Sequence, residues 1–262
     1  MTSPKITIIT VNYNMAEDLA RTIASVLEQS YGSLEYIVID GGSTDGSDAV
    51  IRNHAGQIAH WVCEPDSGLY DAMNKGVRAA TGEWVLFMNA GDRFHDPAVV
   101  ADVFARPADD VDIIYGDMVR QYTEDNVKRL VPARPLSVLP LRMPCSHQSM
   151  FARRDLLQRF PFAQDLSIAA DHEFVLRAMQ SGARFRKQER TIGIFSTGGT
   201  SDRNRLEAMH QLFRILERHG LLTPGRRLRH SIMLTRALTG AYLKRILPRP
   251  LTRWILRRRP LD

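Results

Sequence analysis

The chain has 262 residues, 44% hydrophobic and 24% charged, a size and apolar content that suit one α/β domain of about 200 residues plus an appendage and exclude disordered and fibrous classes. Its net charge of +6 is uneven: residues 226–262 carry 11 Lys and Arg against one acid, a net of +10, which leaves residues 1–225 at 24 against 28, or −4. An acidic main body argues against nucleic acid as a partner, since a domain that reads phosphates carries its own positive face.

Apolar runs at residues 6–11, 36–40, 58–63 and 84–88 read as strands, and residues 16–28, 45–53 and 70–80 as the helices between them. Strands alternating with helices predict an α/β fold with a doubly wound, mostly parallel sheet. Beyond residue 112 the order loosens. Residues 113–117 read as a strand and 118–130 as a polar hairpin, while 132–144, with prolines at 132, 135, 140 and 144, read as a mobile loop or hinge. Helices are predicted at 155–159, 171–180 and 204–218, after which Thr223-Pro224-Gly225 breaks the chain. This divides it into residues 1–222, with halves 1–117 and 118–222, and a basic tail, 223–262. No internal repeat is visible.

The chemistry gathers at strand ends. Thr10-Val11-Asn12-Tyr13-Asn14 closes the first strand and Asp40-Gly41-Gly42-Ser43-Thr44-Asp45-Gly46-Ser47 the second. Both turns fall on one sheet edge, so a planar base fits between them, with Asp40 accepting from a ring N–H and Tyr13 over one face. The same residues also suit a tight turn with Ser43 or Thr44 capping a helix. The first turn has no glycine, so a dinucleotide phosphate cradle is absent. Next comes Glu64-Pro65-Asp66-Ser67-Gly68-Leu69-Tyr70-Asp71-Ala72-Met73-Asn74-Lys75-Gly76, a polar loop feeding a helix. Lys75 and Arg78 share a helical face, placed either to meet phosphate or simply in solvent. The strand at 84–88 then stops at Asn89-Ala90-Gly91-Asp92, which puts one carboxylate at the C-terminal lip, where open α/β sheets bind ligands.

In the second half, Pro144-Cys145-Ser146-His147-Gln148-Ser149 and Ala169-Ala170-Asp171-His172-Glu173-Phe174 follow. Asp171 stands at a predicted helix start, where it serves as a general base or as a helix cap. Asp165 is a second acid for the same pocket. His172 and Glu173, adjacent on a helix, point different ways and make no metal pair. Gly198-Gly199-Thr200-Ser201, between Ser196-Thr197 and Asp202, reads as a close-approaching loop over a diphosphate or as another helix start.

Over about residues 5–200 these blocks resemble the family-2 glycosyltransferases of GT-A fold. Within them the likeness is to bacterial members of exopolysaccharide, O-antigen and glycolipid biosynthesis, whose second block reads Asp-x-Gly-x-Tyr-Asp-Ala-Met-Asn-Lys-Gly. The resemblance implies that Thr10, Asn12, Tyr13 and Asp40 contact the nucleoside, and that Gly68, Asp71 and Lys75 with Asn89, Ala90 and Gly91 line the rest of the nucleotide sugar. By the same likeness Asp92 binds a divalent metal, Mg²⁺ or Mn²⁺, Asp171 is the base, and His147 and Gln148 line the acceptor side. The acidic loop departs from the family pattern, which commonly has two or three carboxylates; here Asn89 and Gly91 leave Asp92 alone. A hard divalent ion then completes its shell with phosphate oxygens and water. Residues 1–117 become the nucleotide-sugar half and 118–222 the acceptor half. The implied activity is inverting transfer from a nucleotide-diphosphate sugar, a UDP-sugar foremost, to a hydroxyl of a lipid-linked or surface-polysaccharide acceptor. Two alternatives stand beside it. A sugar nucleotidyltransferase would carry a Gly-rich phosphate loop after the first strand, and residues 10–14 have none; an inactive sugar-nucleotide-binding scaffold subunit would differ only in activity.

In the tail, Leu228, Ile232, Leu238, Tyr242 and Ile246 recur near helical spacing between Arg229, Arg236, Lys244 and Arg245, and Trp254 precedes Arg257, Arg258 and Arg259. Such a cationic amphipathic segment suits an anionic membrane surface or packs on the main domain. Cys63 and Cys145 have no metal-ligand spacing, no signal-peptide pattern opens the chain, and no apolar run reaches about 18 residues. The expected location is the cytoplasm, peripheral on the inner face of the plasma membrane.

Overall fold

The computed structural model describes residues 3–122, 127–196 and 204–246, and the chain forms two compact units, Met1–Arg203 and Asn204–Asp262. In the first unit, β1 (Ile6–Asn12) runs parallel to β2 (Leu34–Asp40) and to β4 (Trp84–Phe87), and β2 runs parallel to β3 (His60–Cys63). The crossovers are α1 (Ala16–Leu27), α2 (Ser47–Asn53) and α3 (Leu69–Ala79). Every residue of β1 is buried, as expected for a central strand covered on both faces, which also explains its nearly continuous apolar sequence. Helix α1 contributes Leu19, Ile23 and Val26 from one stripe, and these join Ile6, Ile8, Tyr36 and Trp84 in the core.

Helix α3 lies so close to the sheet that a Cβ at Gly76 would sit 2.5 Å from Ile9 Cγ2 and 3.5 Å from Ile39 Cγ1. Ile9 is β-branched and fully buried, so it has no open side to swing into. Gly76→Ala should therefore destabilise the protein. Overpacking costs about 1–3 kcal/mol and outweighs the roughly 1 kcal/mol that alanine gains in helix propensity. A lowered denaturant midpoint is the expected result; an unchanged or raised midpoint would contradict this close approach.

The second half adds β5 (Arg93–Phe94), β6 (Ile113–Tyr122), β7 (Val127–Val131), β8 (Met150–Arg153) and β9 (Phe185–Ser196) to the same sheet. The order is β3-β2-β1-β4-β8-β6-β9-β5, with β7 paired to β6. Strand β8 is antiparallel to both β4 and β6, β9 is parallel to β6, and β5 and β7 add antiparallel pairs. The fold is thus the expected α/β class, with a sheet that is parallel in its first half and mixed in its second. Helices α4 (Val99–Val103), α5 (Arg154–Arg159) and α6 (Ala170–Gln180) complete the unit.

One expectation is corrected. Residues 132–144 form a pinned strap rather than a mobile hinge. Pro135 sets an extended entry to a 3-10 turn at Leu136–Val138, Leu139 is fully buried, and Arg134 N–H donates to Pro144 O at 2.7 Å. The strap is anchored by His172, whose Nε2 lies 2.6 Å from Leu139 O.

The second unit contains α7 (Arg205–Arg218) and α8 (Pro224–Ile246). They meet through Phe213 and His230, with ring centroids 4.6 Å apart, and through Arg227 with Glu217 at 3.4 Å. Leu228, Ile232 and Met233 of α8 are exposed. Trp254 and Arg257 to Arg259 lie outside the described residues. Among those described, no helix is long and apolar enough to cross a membrane.

Candidate active site

The C-terminal ends of β1 and β2 are laced together by short polar side chains. Asn12 Nδ2 donates to Asp40 Oδ1 at 2.6 Å and to Ser43 Oγ at 3.3 Å, while Ser43 donates from its N–H to Asp40 Oδ2 at 2.9 Å and from its hydroxyl to Oδ1 at 2.6 Å. Asn14, in the left-handed region at φ 51°, gives its N–H to Ser43 Oγ and accepts from Thr44 N–H. Neither Ser43 nor Thr44 caps α2; that position belongs to Gly46. Asp40 is wholly buried, so its main visible task is to shape this lip. The Oδ1 of Asn12 is buried with no hydrogen-bond partner. Tyr13 is 65% exposed over Gly41, where a Cβ would lie 3.3 Å from the Tyr13 ring and 3.1 Å from Asp66 Oδ2. Thr10 is different. Its buried hydroxyl lies 2.9 Å from Tyr36 Oη and donates to Met88 O at 2.8 Å, so its side chain ties strands together and does not reach the lip.

Gly68 opens α3 at φ 128°, a backbone state that favours glycine. Asp71 in the first turn accepts from Ser67 N–H at 3.1 Å and from Gln164 Nε2 at 3.0 Å. Lys75 Nζ reaches Asp66 Oδ1 at 2.6 Å, Glu64 Oε1 at 2.9 Å and Asp71 Oδ2 at 3.9 Å. Asp66 first, and then Glu64, raise its pKa. Lys75 is therefore already matched by carboxylates, and any anion arriving there would have to compete with them. Arg78 is exposed in the last turn of the helix, at the end remote from Gly68, because ten residues advance a helix by about 15 Å. Asn74 exchanges two hydrogen bonds with the backbone of Phe162, at 2.9 and 3.0 Å, and so fixes the segment leading to α6.

The loop 89–92 folds over α1. Thr22 Oγ1 donates to Asp92 O at 2.7 Å and accepts from Gly91 N–H at 3.0 Å, and Ala90 N–H donates to Val11 O at 3.0 Å. Gly91, at φ 95°, turns the loop beside Met15 and Asp18. Asp92 is 6% exposed and accepts from Gln148 Nε2 at 2.8 Å. Burial pushes its carboxyl up to about 7, against the opposing pull of Gln148 and His147. Among the described residues no three His, Cys, Asp or Glu side chains converge to hold a metal ion. A divalent ion held here would therefore have Asp92 as its carboxylate from this loop and would take most of its ligands from outside the protein.

Asp171 lies in the first turn of α6, whose N-cap is Ala169 with no side-chain cap. Its Oδ1 accepts from His172 N–H at 2.9 Å and lies 3.2 Å from Tyr70 Oη, which also donates to Ile168 O at 2.6 Å. Its Oδ2 lies 3.3 Å from His147 Nδ1, and His147 Nε2 lies 3.0 Å from Asn89 Nδ2. Burial alone would raise the Asp171 carboxyl, but His147, His172 and the backbone N–H hold it below its ordinary value. It is ionised at neutral pH, as a proton acceptor must be. The neighbouring side chains His147 and Gln148 thus reach different groups, one spanning Asp171 and Asn89, the other holding Asp92. Sequence patterns alone did not assign Tyr70 to this cluster; its place in the Leu69–Ala79 helix, one residue before Asp71, was the available signal. Asp165 is on an exposed turn. His172 is turned away to the Leu139 strap. Thr197, Gly198 to Ser201 and Asp202 lie outside the described residues, although Ser196, which ends β9, donates to Gly91 O at 3.2 Å.

The sheet is mixed, with a polar lip at the ends of its parallel strands and an acid, Asp92, on the loop that follows β4. The profile of "Glycosyl transferase family 2" matches residues 7–167. An uncharacterized glycosyltransferase of Mycobacterium tuberculosis is 38% identical over 184 residues, covering 68% of this chain and 70% of the relative. A PGL/p-HBAD biosynthesis glycosyltransferase of Mycobacterium bovis is 31% identical, covering 70% of this chain and 73% of the relative. Among solved structures, the mannosyltransferase PcManGT of Pyrobaculum calidifontis, in complex with GDP-Man and Mn²⁺, superposes with a TM-score of 0.66 at 20% identity, covering 98% of this chain and 79% of that one. S. aureus TarS 1-349 in complex with UDP-GlcNAc gives 0.64 at 17% identity, covering 81% of this chain and 66% of that one. The chain belongs to glycosyl transferase family 2, and it is a glycosyltransferase of GT-A fold.

Proposed function

We propose that the protein is an inverting, metal-assisted glycosyltransferase that moves a sugar from a UDP-sugar to a hydroxyl of a lipid-linked or surface-polysaccharide acceptor. The observation that carries this reading is the Asp171 carboxylate, held by His147 and Tyr70 and linked through His147 to the loop of Asp92. In a single displacement, Asp171 takes the proton of the attacking hydroxyl while the sugar's bond to the diphosphate breaks on its opposite face. The nucleoside occupies the lip between residues 12–14 and 40–45, covered by Tyr13. The diphosphate lies between the start of α3 and residues 89–92, near Asp71 and Lys75. A magnesium or manganese ion, when bound, offsets charge on the departing diphosphate, and Asp92 is the residue to hold it. A glycolipid-type acceptor is supported by the biosynthetic name of the M. bovis relative. The test is a binding screen of UDP-, GDP- and dTDP-sugars with and without Mn²⁺ or Mg²⁺, in which a UDP-sugar should bind most tightly and with metal dependence. A preference for GDP- or dTDP-sugars would remove the donor assignment, and binding by none would remove the whole reading.

The cationic second unit is proposed to hold the enzyme at the inner face of the plasma membrane. Helix α8 exposes Leu228, Ile232 and Met233 beside Arg226, Arg227 and Arg229, and residues 226–262 carry +10. Each basic residue near an anionic surface contributes about 1 kcal/mol. Removal of the residues after Thr223 should leave donor binding intact and abolish cosedimentation with phosphatidylserine-containing vesicles, and sedimentation of the intact chain should fall steeply with salt. Equal sedimentation of the two chains would contradict the membrane role.

A further inference from the structure

The imidazole of His147 sits between two elements of the site, one facing each ring nitrogen. Nε2 faces Asn89 Nδ2 at 3.0 Å and Nδ1 faces Asp171 Oδ2 at 3.3 Å. An amide nitrogen donates and does not accept. With Asn89 Nδ2 as the donor, Nε2 is left to accept and Nδ1 to donate to the carboxylate. The ring is largely enclosed, with 13% of its side-chain surface exposed, so this pairing is not diluted by solvent. Asn89 Oδ1, in turn, is buried without a hydrogen-bond partner. The Asn89 side chain thus engages His147 through its donor end, and a carboxylate at the same position could only accept, so it would place a proton on Nε2 as well.

We propose that His147 is a positioning residue that orients the Asp171 carboxylate toward the acceptor hydroxyl, and that Asn89 sets this arrangement by holding the imidazole in its Nδ1–H form. The assignment rests on the functional reading above. It links the loop that meets the donor to the residue that activates the acceptor, through one ring and two hydrogen bonds. Tyr70 and His172 N–H fix the other oxygen of Asp171, so His147 is the side chain that determines where Oδ2 points. Asparagine at position 147 can replace it in part, because its Nδ2 occupies nearly the place of Nδ1 and donates in the same direction.

Two readouts on the full-length protein test the proposal. The first needs no turnover: long-range ¹H–¹⁵N NMR of the imidazole should show Nδ1 protonated and Nε2 bare in the wild type, and both nitrogens protonated in Asn89→Asp. An Nε2–H ring in the wild type, or no change in Asn89→Asp, would overturn the role of Asn89 whether or not the protein turns over any sugar nucleotide. The second is the hydrolysis of UDP-GlcNAc. His147→Ala should lower kcat by about 10²-fold, the scale of a small misplacement of reacting groups, with KM within about threefold of wild type because ground-state binding is untouched. His147→Asn should recover most of that loss. His147→Asn as inactive as His147→Ala would instead make His147 itself the proton acceptor, and unchanged kcat in His147→Ala would leave it without a role. Absence of UDP-GlcNAc hydrolysis in the wild type bears on the donor assignment alone, and the protonation state seen by NMR then decides whether Asn89 sets the His147 tautomer.

Discussion

Asp171→Asn should cut turnover by about 10²-fold or more, the usual scale for losing a general base, while nucleotide-sugar affinity stays nearly unchanged. The substitution keeps the shape of the side chain and an oxygen to accept from His172 N–H and Tyr70. It removes the negative charge and the basic lone pair that receive the hydroxyl proton. A purely structural acid would behave differently. Near a helix N-terminus an acid contributes about 0.3–1 kcal/mol through the helix dipole, so its loss would lower the melting temperature and leave specific activity unchanged. The structure already argues against a capping role, because Ala169 is the N-cap of α6 and Asp171 accepts from the adjacent N–H within the first turn. Paired measurements of kcat and thermal stability on Asp171→Asn separate the two.

Asp92→Ala should abolish transfer and weaken nucleotide-sugar binding chiefly when Mn²⁺ or Mg²⁺ is present. Asp92 is the acid of its loop, and among the described residues no group of three or more His, Cys, Asp or Glu side chains is placed to hold a metal ion. The alanine also leaves Gln148 Nε2, on a side chain 4% exposed, without its acceptor, which costs about 1–3 kcal/mol of stability. Asp92→Asn supplies the control, since its amide oxygen still accepts from Gln148 but is a weaker ligand for a hard cation. Isothermal titration with and without metal should show both variants losing the metal-dependent part of the affinity. If either variant keeps wild-type turnover and an unchanged response to metal, Asp92 is not the metal ligand.

The parallel half of the fold was legible in the sequence because its strands are apolar on both faces and its helices alternate with them; β1, β2, β4, α1 and α3 all lie within a few residues of where periodicity places them. The second half was less so. Strand β9 reads Phe-Arg-Lys-Gln-Glu-Arg at its start, a half-exposed run whose place is set by pairing with β6, and β8 is four residues long, with no break between it and α5. The strap at 132–144 carries the prolines of a loose loop, and contacts from distant residues fix it: His172 to Leu139 O, Asp117 to Ala133 N–H and Tyr115 to Arg134 O. Within the site, the residue types at strand ends pointed to the lip and to Asp171. What they could not convey was that Thr10 is consumed inside the sheet, that Lys75 is neutralised by Glu64 and Asp66, or that His147 connects Asn89 to Asp171. Those facts depend on which side chains meet in space from separate parts of the chain, and spacing along the sequence does not encode them.

The central claim is a single displacement at the anomeric carbon with Asp171 as the base, and the stereochemistry of the product tests it most directly. The α-linked UDP-sugar that binds best is incubated with the protein and metal, with acceptor or with water alone, and ¹H NMR records the anomeric configuration of the first product before mutarotation. The account predicts the β anomer first, and its loss in Asp171→Asn; an α product would contradict it and require a retaining mechanism.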